Sequence, residues 1–161
     1  MRRFILIMYL KIINGDITDV TSGYIIHQVN DRGVMGAGVA LAIKNKFPKH
    51  FEDYKNTQRI EGLNLGEIIN TNINEDLNVI GFISQSGLKS MFNRKPTNYD
   101  AFYNCLLQLK EIYENDTESE FYMPFRIGCA NGGGDWGIIS NMIEEICPFV
   151  TLVNYVEKKG E

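Results

Sequence analysis

Short apolar runs alternate along the chain with longer segments of helical period, and glycines and prolines fall between them. "YLKIIN" reads as a first strand, stopped by Asn14-Gly15. "YIIHQVN" reads as a second, and its continuous apolar start suits a strand buried on both faces. In "GVALAIKNKF" the residues Val39, Ile43 and Phe47 recur at helical spacing, with Leu41 and Ala42 widening the stripe. Pro48 ends that helix and starts the next, "PKHFEDYKNT", which turns Phe51 and Tyr54 inward. "GEIINTNI" and "NVIGFISQ" are expected to pair around "NEDLN". "SGLKSMFNRKPT" is a polar loop without a pattern. "TNYDAFYNCLLQLKEIYE" is the clearest helix, with Thr97 and Asp100 placed as a capping box and Phe102, Cys105, Leu106, Leu109 and Tyr113 as its buried stripe. "FYMPFRIG" is a strand, "CANGGGDW" a loop, "GIISNMIEEIC" a helix and "TLVNYVE" the last strand. Strands alternating with helices predict an α/β fold, a sheet covered on both faces.

Length and composition narrow this picture. With 161 residues, 44% of them hydrophobic and 22% charged, the chain is expected to form a single domain over residues 1–161. The formal net charge of -4 argues against a nucleic-acid partner, which normally wants a basic face. Cys105, Cys129 and Cys147 form no CxxC pair, so free thiols in a reducing, cytoplasmic setting are expected, without a metal site. "MRRFILIMYLKII" imitates a signal peptide, but Lys11 interrupts it and "NGD" follows, so it reads as the approach to the first strand. Met8 is an alternative start. No apolar run approaches a membrane span. A soluble monomer without a cofactor is expected.

Two stretches carry candidate chemistry. "HQVNDRGVMGAGVALAIKNKFP" and "RIGCANGGGDWGII" each run from a strand through glycines into a helix. Glycine lets a ligand approach the backbone N–H groups, and a helix N-terminus adds unpaired N–H groups and a positive dipole end. Two such loops at one sheet edge would hold a diphosphate between them without a lysine. The nucleotide signatures do not fit: GxxxxGK[ST] is absent, and Leu41 stands where the dinucleotide signature needs its third glycine.

With "NGDIT", "YIIHQVNDRGVMGAGVALAIKNKFP" and "MPFRIGCANGGGDW" read together, the chain resembles a macrodomain, the ADP-ribose-binding module. "RIGCANGGGDW" is similar to the second loop of the branch containing the yeast-type ADP-ribose 1''-phosphate phosphatase and its phage and bacterial relatives. The resemblance implies a three-layer α/β/α fold with a central mixed six-stranded sheet. It implies hydrolysis of ADP-ribose 1''-phosphate to ADP-ribose and phosphate, without metal. The alternatives are an ADP-ribosyl-ester hydrolase acting on protein glutamate and a non-catalytic ADP-ribose reader.

The same resemblance assigns residues. Asp16 would accept from the adenine amino group and the Ile17 N–H would donate to the ring; Asp16 is otherwise a turn residue capping a loop. Gly36, Ala37 and Gly38 match the first phosphate loop, and Asn131, Gly132, Gly133 and Gly134 the second. Tyr155 matches an aromatic stacked on adenine, or is a strand aromatic in the core. His27, Asn30 and Asp135 are the catalytic candidates. His27 is an acid or base, or else a hydrogen-bonded core histidine; Asp135 activates water, caps the following helix, or does both. Asp31 is a further candidate near the distal ribose, or else simply solvated, and Cys129 is a small buried residue lacking a partner to activate it. A related branch uses a lysine near the fourth strand and an aspartate in the second loop. Gln85 and Gly132 stand there instead, which leaves the roles of Lys89 and Lys95 open.

Overall fold

The alternation resolves, in a computed structural model that describes residues 10–158, into strands and helices in the order the apolar pattern predicts. They are β1 (Lys11–Gly15), β2 (Gly23–Asn30), α1 (Gly38–Lys46), α2 (Pro48–Ile60), β3 (Ile68–Asn72), β4 (Leu77–Gln85), α3 (Tyr99–Glu114), β5 (Phe121–Pro124), α4 (Trp136–Ile146) and β6 (Val150–Tyr155). Met8 and the rest of the first nine residues, where the chain imitates a signal peptide, lie outside the described residues, while the end of that stretch, Lys11–Ile13, belongs to β1.

The sheet has six strands in the order β1-β6-β5-β2-β4-β3. All neighbours are parallel except β3 and β4, which form the hairpin around "NEDLN". Alternate residues of β2 serve opposite faces, as the two-residue period of a strand requires. Ile26 packs with Phe102, Leu106 and Leu109 of α3 and with Ile139 and Ile143 of α4. Ile25 packs with Ile43 of α1, and Val29 with Tyr54 of α2. The result is the three-layer α/β/α sandwich with a mixed six-stranded sheet.

Four local expectations change. On α1 only Ile43 is buried; Val39 and Leu41 are exposed, because the helix start lies over the open edge of the sheet. On α2, His50 joins Tyr54 as a buried residue, whereas Phe51 is half-buried. The cap of α3 is Asn98, whose side chain accepts from the Ala101 N–H at 2.9 Å, so Thr97 is freed for another contact. The strand expected over "FYMPFRIG" stops at Pro124, and the chain turns with Arg126 at φ 62°.

Candidate functional site

Five parallel strands deliver their C-terminal ends to one edge of the sheet, and β2 sits between β4 and β5 with chain leaving to both sides. Ligand clefts in open α/β sheets form at such points. Here a cleft of about 390 Å³ opens over the ends of β2, β4 and β5. His27, Asn30, Gly36, Ala37, Gly38, Asn131 and Gly132 all line it. Its charged lining residues are Lys89 and Arg126, and no Asp or Glu lines it.

The first glycine loop is held from beneath. A register shift between Val29 and Asn30 ends the ladder and turns the Asn30 side chain into the loop. Asn30 Oδ1 accepts from the Arg32 N–H (3.0 Å) and the Val34 N–H (3.3 Å), and Nδ2 donates to the Val34 carbonyl (2.7 Å). Buried Tyr54 adds its hydroxyl to Asn30 and receives the Gly33 N–H. Asn30 therefore shapes the loop. Above it, Ala37 occupies the N-cap position of α1 in an extended conformation and has no side chain to cap with. The N-terminus of α1, with Gly38, Val39 and Ala40, faces the cleft.

The second loop packs against its neighbours. The Thr97 N–H donates to Gly132 O (2.9 Å), and Thr97 Oγ1 donates to Gly128 O (2.9 Å). Gln28 Nε2 bonds Ser84 Oγ at 3.0 Å and approaches Thr97 at 3.3 Å. A Cβ on Gly132 would stand 2.2 Å from Thr97 Oγ1. Gly133 has φ 63°, and a Cβ there would stand 2.3 Å from Arg94 O. Gly133 and Gly134 are not among the cleft-lining residues. Asp135 Oδ1 accepts from the Ile138 N–H at 3.2 Å, capping α4. The two loops therefore differ: α1 presents uncapped amides, whereas α4 has its own carboxylate in that place.

His27 is 1% exposed. Its Nε2 lies 2.8 Å from His50 Nε2, and His50 Nδ1 lies 2.9 Å from Thr71 Oγ1. Gly81, opposite His27 on β4, leaves room for the His50 ring. Burial, and then the neighbouring His50, push the His27 pKa well below the ordinary histidine range; burial brings His50 down to about 4. Both rings are neutral at pH 7. Of the two readings of His27, the geometry favours the hydrogen-bonded core histidine, because a ring that resists protonation and faces another ring is a poor proton donor to a ligand. Cys129 is half-buried, and burial raises its thiol pKa, so it stays protonated. Asp31 is engaged: its Oδ1 accepts from the Gly87 N–H at 2.8 Å and lies 3.6 Å from Arg32 Nε.

At the far end of the same edge, Asp16 Oδ1 accepts from the Thr18 N–H (2.9 Å) and hydroxyl (2.7 Å), opening a short 3-10 turn. That turn makes no use of the Ile17 N–H, while the Ile17 side chain is buried with Ile43. Tyr155 is 67% exposed and lies in register with Gly15, so the reading of it as a core aromatic is corrected. Asp16, Ile17 and Tyr155 thus share the β1–β6 end of the edge, beside the cleft.

Sequence reasoning missed Gln28, Thr97 and Arg126. It left Lys89 open; the structure brings Lys89 Nζ to 3.4 Å from Ala130 O, spanning to the second loop. A usable signal was present, since no Asp or Glu occurs between Leu77 and Tyr99 or between Phe121 and Gly134.

No family model matches the chain. It is 32% identical over 142 residues to a 17.5 kDa protein from the tk-vs intergenic region of Enterobacteria phage T4, covering 85% of this chain and 89% of that one. A protein of unknown function from Bacteroides thetaiotaomicron is 30% identical, with a TM-score of 0.81 over 92% of this chain and 99% of the other. A macrodomain protein from Streptomyces coelicolor superposes with a TM-score of 0.73 at 23% identity, over 93% of this chain and 100% of that one. Thermosipho africanus DarTG, solved in complex with ADP-ribose, gives 0.70 at 17% identity, over 96% of this chain and 44% of that longer one. The chain belongs to the family of the phage T4 17.5 kDa protein, and its fold is the macrodomain fold.

Proposed function

We propose that the cleft binds ADP-ribose and its 1''-phosphate derivative. One observation carries this reading: an acidic protein has built a cleft whose charged lining residues are both cations, around an uncapped helix N-terminus. Amides of the first loop and of α1 would take the diphosphate. Asp16, Ile17 and Tyr155 would take the adenine at the β1–β6 end. Lys89, on the β4 side, would meet an anion on the distal ribose. The macrodomain fold, and the ADP-ribose bound to DarTG, support the same assignment.

The reaction we propose is removal of the 1''-phosphate as inorganic phosphate, with water as nucleophile and no metal. The positive charge of Lys89 and the loop amides would stabilise the phosphoryl oxygens. Asp135 would act only through the carboxylate oxygen not used in capping α4, and Asn30 by shaping the loop under the ribose. A second reading, a silent ADP-ribose reader, is favoured by the lack of a carboxylate among the cleft-lining residues and by the neutral His27. Release of ADP-ribose from modified glutamate is the third outcome to be measured. The protein is incubated separately with ADP-ribose 1''-phosphate and with glutamate-ADP-ribosylated protein, and phosphate and ADP-ribose release are followed beside calorimetric titration with ADP-ribose. Phosphate release establishes the phosphatase. Binding without release from either substrate establishes the reader. Absence of ADP-ribose binding overturns both.

A further inference from the structure

The "SGLKSMFNRKPT" segment, patternless in sequence, is a braced hairpin beside the cleft. The Ser86 N–H donates to Pro96 O at 2.8 Å, and Ser90 and Asn93 exchange N–H···O bonds of 3.1 Å each. Asn93 Nδ2 donates to the Ser86 (2.9 Å) and Leu88 (3.1 Å) carbonyls, filling the inside of the turn. Gly87 is tied to Asp31, and Lys89 to Ala130, so the hairpin is fixed to both phosphate-loop regions.

This bracing presents an unusual tip. Met91 is 75% exposed and Phe92 is 93% exposed. With Leu88 also exposed, at 45%, the tip gathers three large apolar side chains in water, and such a grouping, one of them aromatic, points to a contact surface. Lys89, Arg94 and Lys95 lie within three residues of Phe92 in sequence, all exposed, and none forms an ion pair among the described residues. The hairpin has no carboxylate, and Asp31 at its base is already engaged by Gly87 and Arg32. On its other side a second cleft of about 400 Å³ is lined by Arg32, Lys95, Thr97 and Asn98, again without Asp or Glu. The chain's net charge of -4 hides this distribution: the acid excess lies elsewhere.

We infer that the hairpin is a docking surface for single-stranded nucleic acid. Phosphates would lie along Arg94, Lys95 and Arg32, and an unpaired base would stack on Phe92, with the strand passing from the second cleft toward the mouth of the first. Cations that follow a backbone, interleaved with an aromatic face, are what sequence-tolerant single-strand binding requires. A duplex keeps its bases stacked inside and would leave Phe92 without a partner. An acidic peptide would use the cations but has no need of a flat ring. The surface lies outside the proposed ADP-ribose contacts, apart from Lys89.

The test is fluorescence anisotropy of a labelled twelve-nucleotide oligothymidylate with the full chain, at low and moderate salt, beside a calorimetric ADP-ribose titration. Saturable binding that weakens as salt rises is expected. Phe92→Ala should weaken it about tenfold, in line with a lost base–aromatic stack. Arg94→Glu with Lys95→Glu should weaken it further, and all these variants should keep the wild-type melt and ADP-ribose affinity. No anisotropy change at low salt overturns the proposal, as does binding indifferent to the hairpin variants. Equal binding of duplex, insensitive to Phe92→Ala, also overturns it. Displacement of the strand by polyglutamate, with affinity for polyglutamate equal to that for the strand, would identify an acidic-peptide surface instead. Because ADP-ribose is titrated on the same samples, failure here leaves the reading of the cleft standing or falling on its own result.

Discussion

Gly36 and Gly133 look alike in sequence, each a glycine in a loop before a helix, yet they serve different ends. A Cβ on Gly36 would meet only Val34 Cγ1, at 3.4 Å, and would project where the cleft is open. Gly36→Val should therefore lower ADP-ribose affinity at least tenfold while the melt stays near wild type. Gly133 combines φ 63° with a Cβ position 2.3 Å from the Arg94 carbonyl oxygen. Gly133→Val should depress the melting temperature, at a cost of about 1–3 kcal/mol for the strain alone. Although this loop lies outside the core, backbone packs on backbone there. Lys89→Ala tests the distal end. It should weaken ADP-ribose 1''-phosphate binding about tenfold, the effect of one charge-assisted hydrogen bond of about 1.5–3 kcal/mol, while changing ADP-ribose affinity much less. Equal losses for the two ligands, measured by calorimetry, would remove Lys89 from the distal site.

At the scale of the element, the helix termini divide by whether they are capped. Asn98 and Asp135 cap α3 and α4 with their own side chains, whereas Ala37 leaves α1 open over the cleft. The backbone of Ala37 already has the extended conformation of an N-cap residue (φ -154°, ψ 161°). Ala37→Asp should stabilise the fold by about 0.5–2 kcal/mol by supplying the missing cap, and abolish ADP-ribose binding by placing a carboxylate where the phosphate belongs. A higher melting temperature with lost affinity is the expected pair of results; retained affinity would show that α1 does not bind the anion. For α4, Asp135→Ala should cost about 1 kcal/mol of stability, and Asp135→Asn, which can still cap, should recover it. Phosphate release that returns with Asp135→Asn assigns Asp135 to capping; release lost in both variants assigns its carboxylate to the chemistry.

At the scale of the molecule, the buried His27–His50 pair links folding to pH. Both rings are neutral in the folded state, and their pKa values lie below the ordinary 6.5, at about 4 for His50 and well below 6.5 for His27. Burial is the main cause for each; the charge of Asp53 partly opposes it for His50. Below pH 6.5 the unfolded chain takes up protons that the folded chain refuses, so stability falls with pH across the window from about 6.5 to about 4. Each such histidine costs up to about 1.4 kcal/mol per pH unit in that window. Urea midpoints measured at pH 7.5, 6 and 5 should fall progressively. A His27→Asn, His50→Gln double variant should show a flatter profile; an equally steep one would place the acid sensitivity elsewhere.

The order of strands and helices was legible in the sequence because each element announces its period locally: Ile25 and Ile26 in a continuous apolar run, and Phe102, Leu106 and Leu109 on one helical stripe. The positions of the glycine loops were legible for the same reason, since glycines between a strand and a helix have a restricted set of uses. What the glycines do was decided only by tertiary structure. Gly132 and Gly133 are required by Thr97 and by the Arg94–Lys95 backbone, which are distant in sequence and carry no sign of the contact. His27 could be read as an acid from residue type alone; that it is neutral follows first from its burial and then from His50, which α2 brings to it beside Gly81. The charge of the cleft was likewise hidden in a net value of -4, because a sum over the chain is blind to direction. Local propensity acts over a few residues and can be read along the chain. Burial, partner geometry and the placement of charge are pairwise properties of residues far apart, and they exist only once the sheet has brought its loops to one edge.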